Sequence, residues 1–286
     1  MSTLRISGKN LAHFNLSTCC MRALWYLLQI GFRPPFNIFP GIFSTFDSMQ
    51  KKFVRAHLDT KGTLPPWMKK FKDGIELANT PYKLTFLYPD TDILVTGIPD
   101  EVLKKKDGSL LLLDYKTARY SRGQDALLPI YTAQLNIYIG LLDMLGHGTV
   151  TSAGLVYFEP TETRTGKDDE CFVVGFKATE VPIELDPKLT PKLLKAARKL
   201  ADQQTPPECK GHCKDCDLLD TLFAVYESGK SNSNPKTKYM DGLSGQIFNA
   251  SEQYWNRRRI QDLLLRAANG ATDTTEPSLI LDWDFF

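Results

Sequence analysis

The sequence contains no apolar run approaching the roughly 18 residues a helix needs to cross a bilayer, so a membrane-spanning role is not expected. Its N-terminus lacks the charged, apolar and small-residue succession of a secretory leader. The expected location is therefore the cytoplasm, where structural disulfides are uncommon. The six cysteines then call for a reading other than a disulfide framework. An excess of one charge is also missing. Thirty-five Lys and Arg stand against 33 Asp and Glu, a net charge of +2, which neither demands nor excludes a nucleic-acid partner. There is no internal repeat. No major-groove reading module is apparent, so sequence-specific recognition of bases is not expected.

What the chain does have is a strong central strand. Leu110-Leu111-Leu112-Leu113 reads as a strand buried on both faces, and it runs into Asp114-Tyr115-Lys116-Thr117. Side chains alternate along a strand, so Asp114 and Lys116 share a face. A buried charge is costly unless it is paired or bound to a metal. An Asp–Lys pair running into solvent is the plain alternative.

In chain order, the spacing predicts a helix over 16–30, a Pro- and Phe-rich connection over 33–40, and a helix over about 44–58. On that second helix Phe43, Phe46, Phe53, Val54 and Leu58 form the apolar positions, and Asp47 shares the face of Phe43 and Val54. An acid on an inward face is either a cap favouring the helix dipole or a site residue. Pro65-Pro66 opens a short helix around Trp67 to Phe71. Strands follow at 82–88, 92–98 and 110–117, the last two joined by the turn signal Lys106-Asp107-Gly108. The three read as one antiparallel meander. Residues 126–145 form the clearest helix, on which Gln134 and Tyr138 are neighbours four apart. Strands at 153–158 and 171–179 and a helix at 187–203 complete the core. Beyond about 228 lie a flexible linker, a polar helix over 245–268 containing Arg257-Arg258-Arg259, and an aromatic–acidic tail ending at Phe286.

In such a meander Asp100 and Asp114 approach each other at one edge of the sheet. Two adjacent carboxylates repel, and a divalent cation relieves this. Hard oxygen ligands suit Mg²⁺ or Mn²⁺, and the carbonyl of Tyr115 offers a further ligand. Lys116 is then placed to orient or help deprotonate a water and to stabilise charge on a phosphate.

The succession Gly97-Ile98-Pro99-Asp100, Asp114-Tyr115-Lys116-Thr117 and Gln134-Leu135-Asn136-Ile137-Tyr138 resembles the PD-(D/E)xK nuclease superfamily, in its RecB-like, CRISPR-associated Cas4-like exonuclease branch. The resemblance covers residues 1–220. It implies an α/β fold with a restriction-endonuclease-like core, αβββαβ, whose mixed central sheet is flanked by helices. A helical extension over 221–286 would follow. It also implies a metal-dependent deoxyribonuclease, an exonuclease on single strands or ends, in repair, recombination or CRISPR-type processing. By position, Asp100 and Asp114 would bind the metal, Lys116 would be the catalytic lysine, and Gln134 and Tyr138 would position substrate or support the lysine, ordinary helix packing being the alternative for this pair. Relatives place a further metal ligand on an early helix. Asp47 matches that location, with His57 as competitor. Some relatives also carry an iron–sulfur cluster held by one cysteine before the core and three after it. Cys20, Cys209, Cys213 and Cys216 fit that order, although the C-x3-C-x2-C spacing departs from the usual one. Zinc, with Cys19 or His212 as further candidates, and free thiols remain open. Cys171 reads as a core residue. Lys51 and Lys52, and Lys104, Lys105 and Lys106, are the candidates to meet a DNA backbone. The terminal tail is either a peptide that docks on a protein partner or a packed edge strand. The alternative to the enzyme is a non-catalytic DNA-binding or scaffold protein that keeps the fold.

Overall fold

The computed structural model describes residues 3–30, 41–121, 126–165, 172–209, 213, 216–218, 220, 221 and 224. Its elements are β1 (Leu4–Ser7), α1 (Gly8–Ala12), α2 (Met21–Ile30), α3 (Gly41–Lys61), β2 (Gly74–Leu77), β3 (Leu84–Tyr88), β4 (Ile93–Gly97) and β5 (Glu101–Lys105), then β6 (Leu110–Lys116), α4 (Leu128–Met144), β7 (Val150–Thr165), β8 (Phe172–Ile183) and α5 (Leu189–Ala201). Short 3-10 turns lie at His13–Asn15 and Lys69–Phe71. Among the described residues, those up to 203 belong to one compact unit and those from 204 to 224 to another. The expected linker, helix and aromatic tail lie outside the described residues.

Four leucines in succession need apolar cover on both sides of the sheet, and the structure supplies two cores. Leu110 and Leu112 pack in one with Ile130, Ala133, Ile137 and Leu141 of α4. Leu111 and Leu113 pack in the other with Leu103, Met68, Phe71 and the two buried residues of α3, Val54 and Leu58. β6 is the middle strand of a five-stranded mixed sheet of order β2-β5-β6-β7-β8. It pairs parallel with β7, which requires a crossover, and α4 is that crossover. Its buried residues lie on more than one side, as expected of a helix sandwiched between layers.

The expected meander is corrected. Four strands, not three, occupy residues 82–117, and they divide between two sheets. β3 and β4 pair antiparallel, and β4 takes β1 in parallel at its other edge. At Ile98-Pro99-Asp100 the chain leaves this three-stranded mixed sheet; Pro99 has no N–H to continue a ladder. It then enters β5, which forms an antiparallel hairpin with β6, Glu101 opposite Leu113. Asp100 therefore stands directly ahead of the strand beside β6 rather than ending the strand before it. β1, α1 and β2 were not anticipated; each is four or five residues long, too short for a periodicity to show.

The expected core face of α3 is corrected too. Phe53 is 58% exposed and Phe43 is also exposed, and Phe53 stacks on Trp67 instead. The Asp47 side chain is 41% exposed, at a rim rather than inside.

Where β7 lies beside β6, Gly154 sits opposite Leu113, and the Phe71 ring lies over it. A Cβ there would be 2.0 Å from Phe71 Cζ. Gly154→Ala is expected to lower stability by about 2–3 kcal/mol, read as a fall in the chemical-denaturation midpoint at constant slope. An unchanged midpoint would mean that the ring moves aside freely.

Candidate active site

Asp114 and Lys116 extend the even-numbered face of β6, the face of Leu110 and Leu112 that α4 covers. Asp114 is 3% exposed. Lys116 Nζ lies 2.6 Å from Asp114 Oδ2, although no aligned hydrogen bond reaches that buried oxygen among the described residues. From α4, the Gln134 amide donates to Asp114 Oδ1 at 3.2 Å and to Tyr138 Oη at 3.1 Å. Gln134 Oε1 accepts from Lys116 Nζ at 3.4 Å. One amide thus orients both members of the ion pair. Lys116 Nζ also stands 4.2 Å from the centre of the Tyr131 ring, a cation–π contact that fixes the ammonium from the other side.

Glycine explains how Tyr138 reaches this network. A Cβ on Gly97 would be 2.6 Å from the Tyr138 ring and one on Gly8 would be 2.7 Å from it. One edge of the ring lies against two neighbouring backbones, at positions where a Cβ would collide with it.

Asp100 joins the site from the start of β5. Its Oδ2 accepts the Tyr115 N–H at 2.7 Å, past the end of the β5–β6 ladder. The N–H and carbonyl of one strand residue face the same neighbour, so the Tyr115 carbonyl opens toward Asp100. Asp100 Oδ1 lies 2.7 Å from Lys51 Nζ, which is itself 2.7 Å from Asp47 Oδ2. Arg55, one turn further along α3, donates to the Asp100 carbonyl at 3.1 Å and to Glu101 Oε1 at 2.8 Å. Gln50 donates to Thr117 Oγ1 at 2.9 Å. α3 therefore grips the ends of β5 and β6.

Burial pushes the Asp114 carboxyl up, and Asp100 adds to this against the pull of Lys116. Burial alone would lower the Lys116 ammonium, but Asp114 outweighs it and the group is held up. Lys51 behaves likewise: burial opposes its charge, and Asp100 and Asp47 more than restore it. Burial raises Glu101, 2% exposed, to about 7 despite Arg55.

The donors fit a hard divalent cation. Asp100, Asp114 and the Tyr115 carbonyl are all oxygen, and Asp114 Oδ2 is a buried carboxylate oxygen without an aligned donor. Separately, the sulfur atoms of Cys20, Cys209, Cys213 and Cys216 lie within 4.8 Å of one another, and none of the four is in a disulfide. Four thiolates at such separations can hold a metal. Cys19 is not in this set; His212 and Cys171 lie outside the described residues.

The structure thus brings together Asp47, Lys51, Asp100, Asp114, Tyr115, Lys116, Gln134 and Tyr138. It does not bring the Lys104–Lys106 turn to them. The turn is at the opposite end of the β5–β6 hairpin, about 17 Å of strand away. There Lys104 pairs with Glu76 and Lys105 donates to Thr151. Lys51 points into the carboxylates, and Lys52 is exposed. Tyr131, Gln50, Arg55 and Glu101 were missed. The spacing of Asp47, Lys51 and Arg55 at successive intervals of four was the available sign of the α3 residues.

The family model for the PD-(D/E)XK nuclease superfamily matches residues 45–220. No curated protein matches. A solved crystal structure of SSO0001 is similar at 15% identity over 71% of this chain and 78% of that one, with a TM-score of 0.41.

Because Glu101 and Asp114 are held above the ordinary carboxylate range, the folded protein binds more protons than the unfolded chain between that range and about pH 7. Metal-free stability is therefore expected to fall as pH rises through this window. Glu101→Gln should flatten the decline, with Asp114 leaving a residual slope. Melting midpoints measured in EDTA across the window check this; identical slopes for the two proteins would refute it.

Proposed function

Because the chain belongs to the PD-(D/E)XK nuclease superfamily, whose members are metal-dependent nucleases, we propose that it hydrolyses DNA phosphodiester bonds with Mg²⁺ or Mn²⁺, as an exonuclease of the RecB-like branch acting on single strands or ends. One observation carries this reading: Asp100, just ahead of β5, accepts the N–H of Tyr115, the residue that follows Asp114 on β6, and Lys116 lies beside Asp114.

Asp100, Asp114 and the Tyr115 carbonyl would hold the divalent ion, which supplies Lewis acidity toward a phosphate oxygen and lowers the pKa of water. The chain's own residues do the rest. Lys116, kept protonated by Asp114 and oriented by Gln134 and Tyr131, presents a fixed positive charge. That charge orients a water and stabilises the developing negative charge on the phosphate. Gln134 and Tyr138 act through these two residues as positioning groups. The exposed Lys52 would contact the backbone of the nucleic acid without reading its sequence. The four-cysteine set favours the RecB-like branch, and within it an iron–sulfur cluster over zinc.

Asp114→Ala should abolish Mg²⁺- or Mn²⁺-dependent cleavage of linear and single-stranded DNA while leaving DNA binding intact. Lys116→Met should slow it by about 10²–10⁴-fold. Failure of the native protein to cleave linear, single-stranded or nicked DNA with Mn²⁺ would leave the binding or scaffold reading in its place. Protein purified without oxygen should be coloured and contain iron and sulfide. A colourless protein containing one zinc would overturn the cluster assignment.

A further inference from the structure

α3 offers two cations to a single acid. Arg55 holds the main-chain carbonyl of Asp100, and Lys51 holds its side chain. These contacts differ in kind. Arg55 also answers the buried carboxylate of Glu101, so moving it would strand a charge in the interior. Lys51 has no such obligation. Its second partner, Asp47, lies four residues back on the same helix and is partly exposed, so the pair can swing outward together. The Lys51 side chain is itself 24% exposed, and its flexible stem lets the ammonium change partners. Its present position, 2.7 Å from an oxygen of Asp100, brings a full positive charge against a carboxylate that the proposed metal ion would use. Two cations on one carboxylate oppose each other strongly where solvent is limited.

We propose that Lys51 is an exchangeable counter-ion of Asp100, so that metal binding must release it and a phosphate of the nucleic acid takes it up. This rests on the metal-site reading above and adds to it a coupling between two ligands. The acid pair alone binds the divalent ion against the competition of Lys51. A strand that draws the ammonium onto its phosphates removes that competitor. Metal and nucleic acid then strengthen each other's binding by the same factor, as linkage requires. Asp47 serves as the tether that keeps the released ammonium near the site.

The experiment measures binding rather than cleavage. Mn²⁺ affinity is read from the electron paramagnetic resonance signal of the free ion. Mn²⁺ is chosen because it prefers the oxygen site to thiolates. The full chain carries Lys116→Met to suppress hydrolysis, and Lys51→Met is added to it. Without DNA, the Lys51→Met protein should bind Mn²⁺ at least about fivefold more tightly. With a short single-stranded oligonucleotide, the protein retaining Lys51 should gain affinity for Mn²⁺ by a similar factor, and the Lys51→Met protein should gain little. Lys51→Gln provides the same comparison should the methionine variant fold poorly. Equal Mn²⁺ affinities with and without Lys51, or an equal gain from DNA in both proteins, would overturn the proposal and leave the metal site standing. Absence of Mn²⁺ binding in every protein that keeps Asp100 and Asp114 would overturn the site itself.

Discussion

The ion pair between Asp114 and Lys116 is the constraint around which the rest is arranged. Both groups sit on the face of β6 that packs under α4, where charge is costly to bury. Three neighbours lower that cost. Gln134 bonds both partners, Tyr131 backs the ammonium, and Tyr138 holds Gln134. The apolar residues on the same strand make the arrangement rigid. Leu110 to Leu113 anchor β6 in two cores, so the acid and amine are fixed by packing on both sides of the sheet. The role proposed for Lys116 would gain from this rigidity, because little reorganisation is needed when charge develops nearby.

The central strand was legible because its signal is local. Four leucines followed by an acid and an amine two apart can be read without any partner. So could the crossover helix and the relation of Gln134 to Tyr138, which depend only on helical spacing. The path of the chain at Pro99 was not legible. Five residues without alternation, Glu101 to Lys105, look like part of a loop until β6 is known to need a neighbour. The wrong meander nevertheless placed Asp100 beside Asp114, because the corner delivers it to the same sheet edge by another route. Burial on α3 was misjudged for a related reason. Phe43 and Phe53 are apolar, but only Val54 and Leu58 have a core to face. The basic turn at Lys104–Lys106 was misplaced because sequence proximity to Asp100 says nothing of which end of a hairpin a turn occupies.

The two sheets divide the work. The five-stranded sheet carries Asp114, Tyr115 and Lys116 on its middle strand. The three-stranded sheet brings the chain to the corner that sets Asp100. α3 then closes that corner from one side, with Arg55 on the backbone and Gln50 at the end of β6. Arg55 and Gln50 thus tie the segment that carries Asp100 and the end of β6 to the same helix.

The Tyr138 ring packs its edge against Gly97 and Gly8. Gly97 lies within the stretch that matches the family, residues 45–220, and Gly8 lies ahead of it. β1, the parallel edge partner of β4, lies ahead of it as well. A fragment trimmed to the matching stretch would keep every acid and the lysine yet leave the phenol ring open to water on one flank. For this chain, the limits of family likeness and the limits of the packing around Tyr138 are different boundaries.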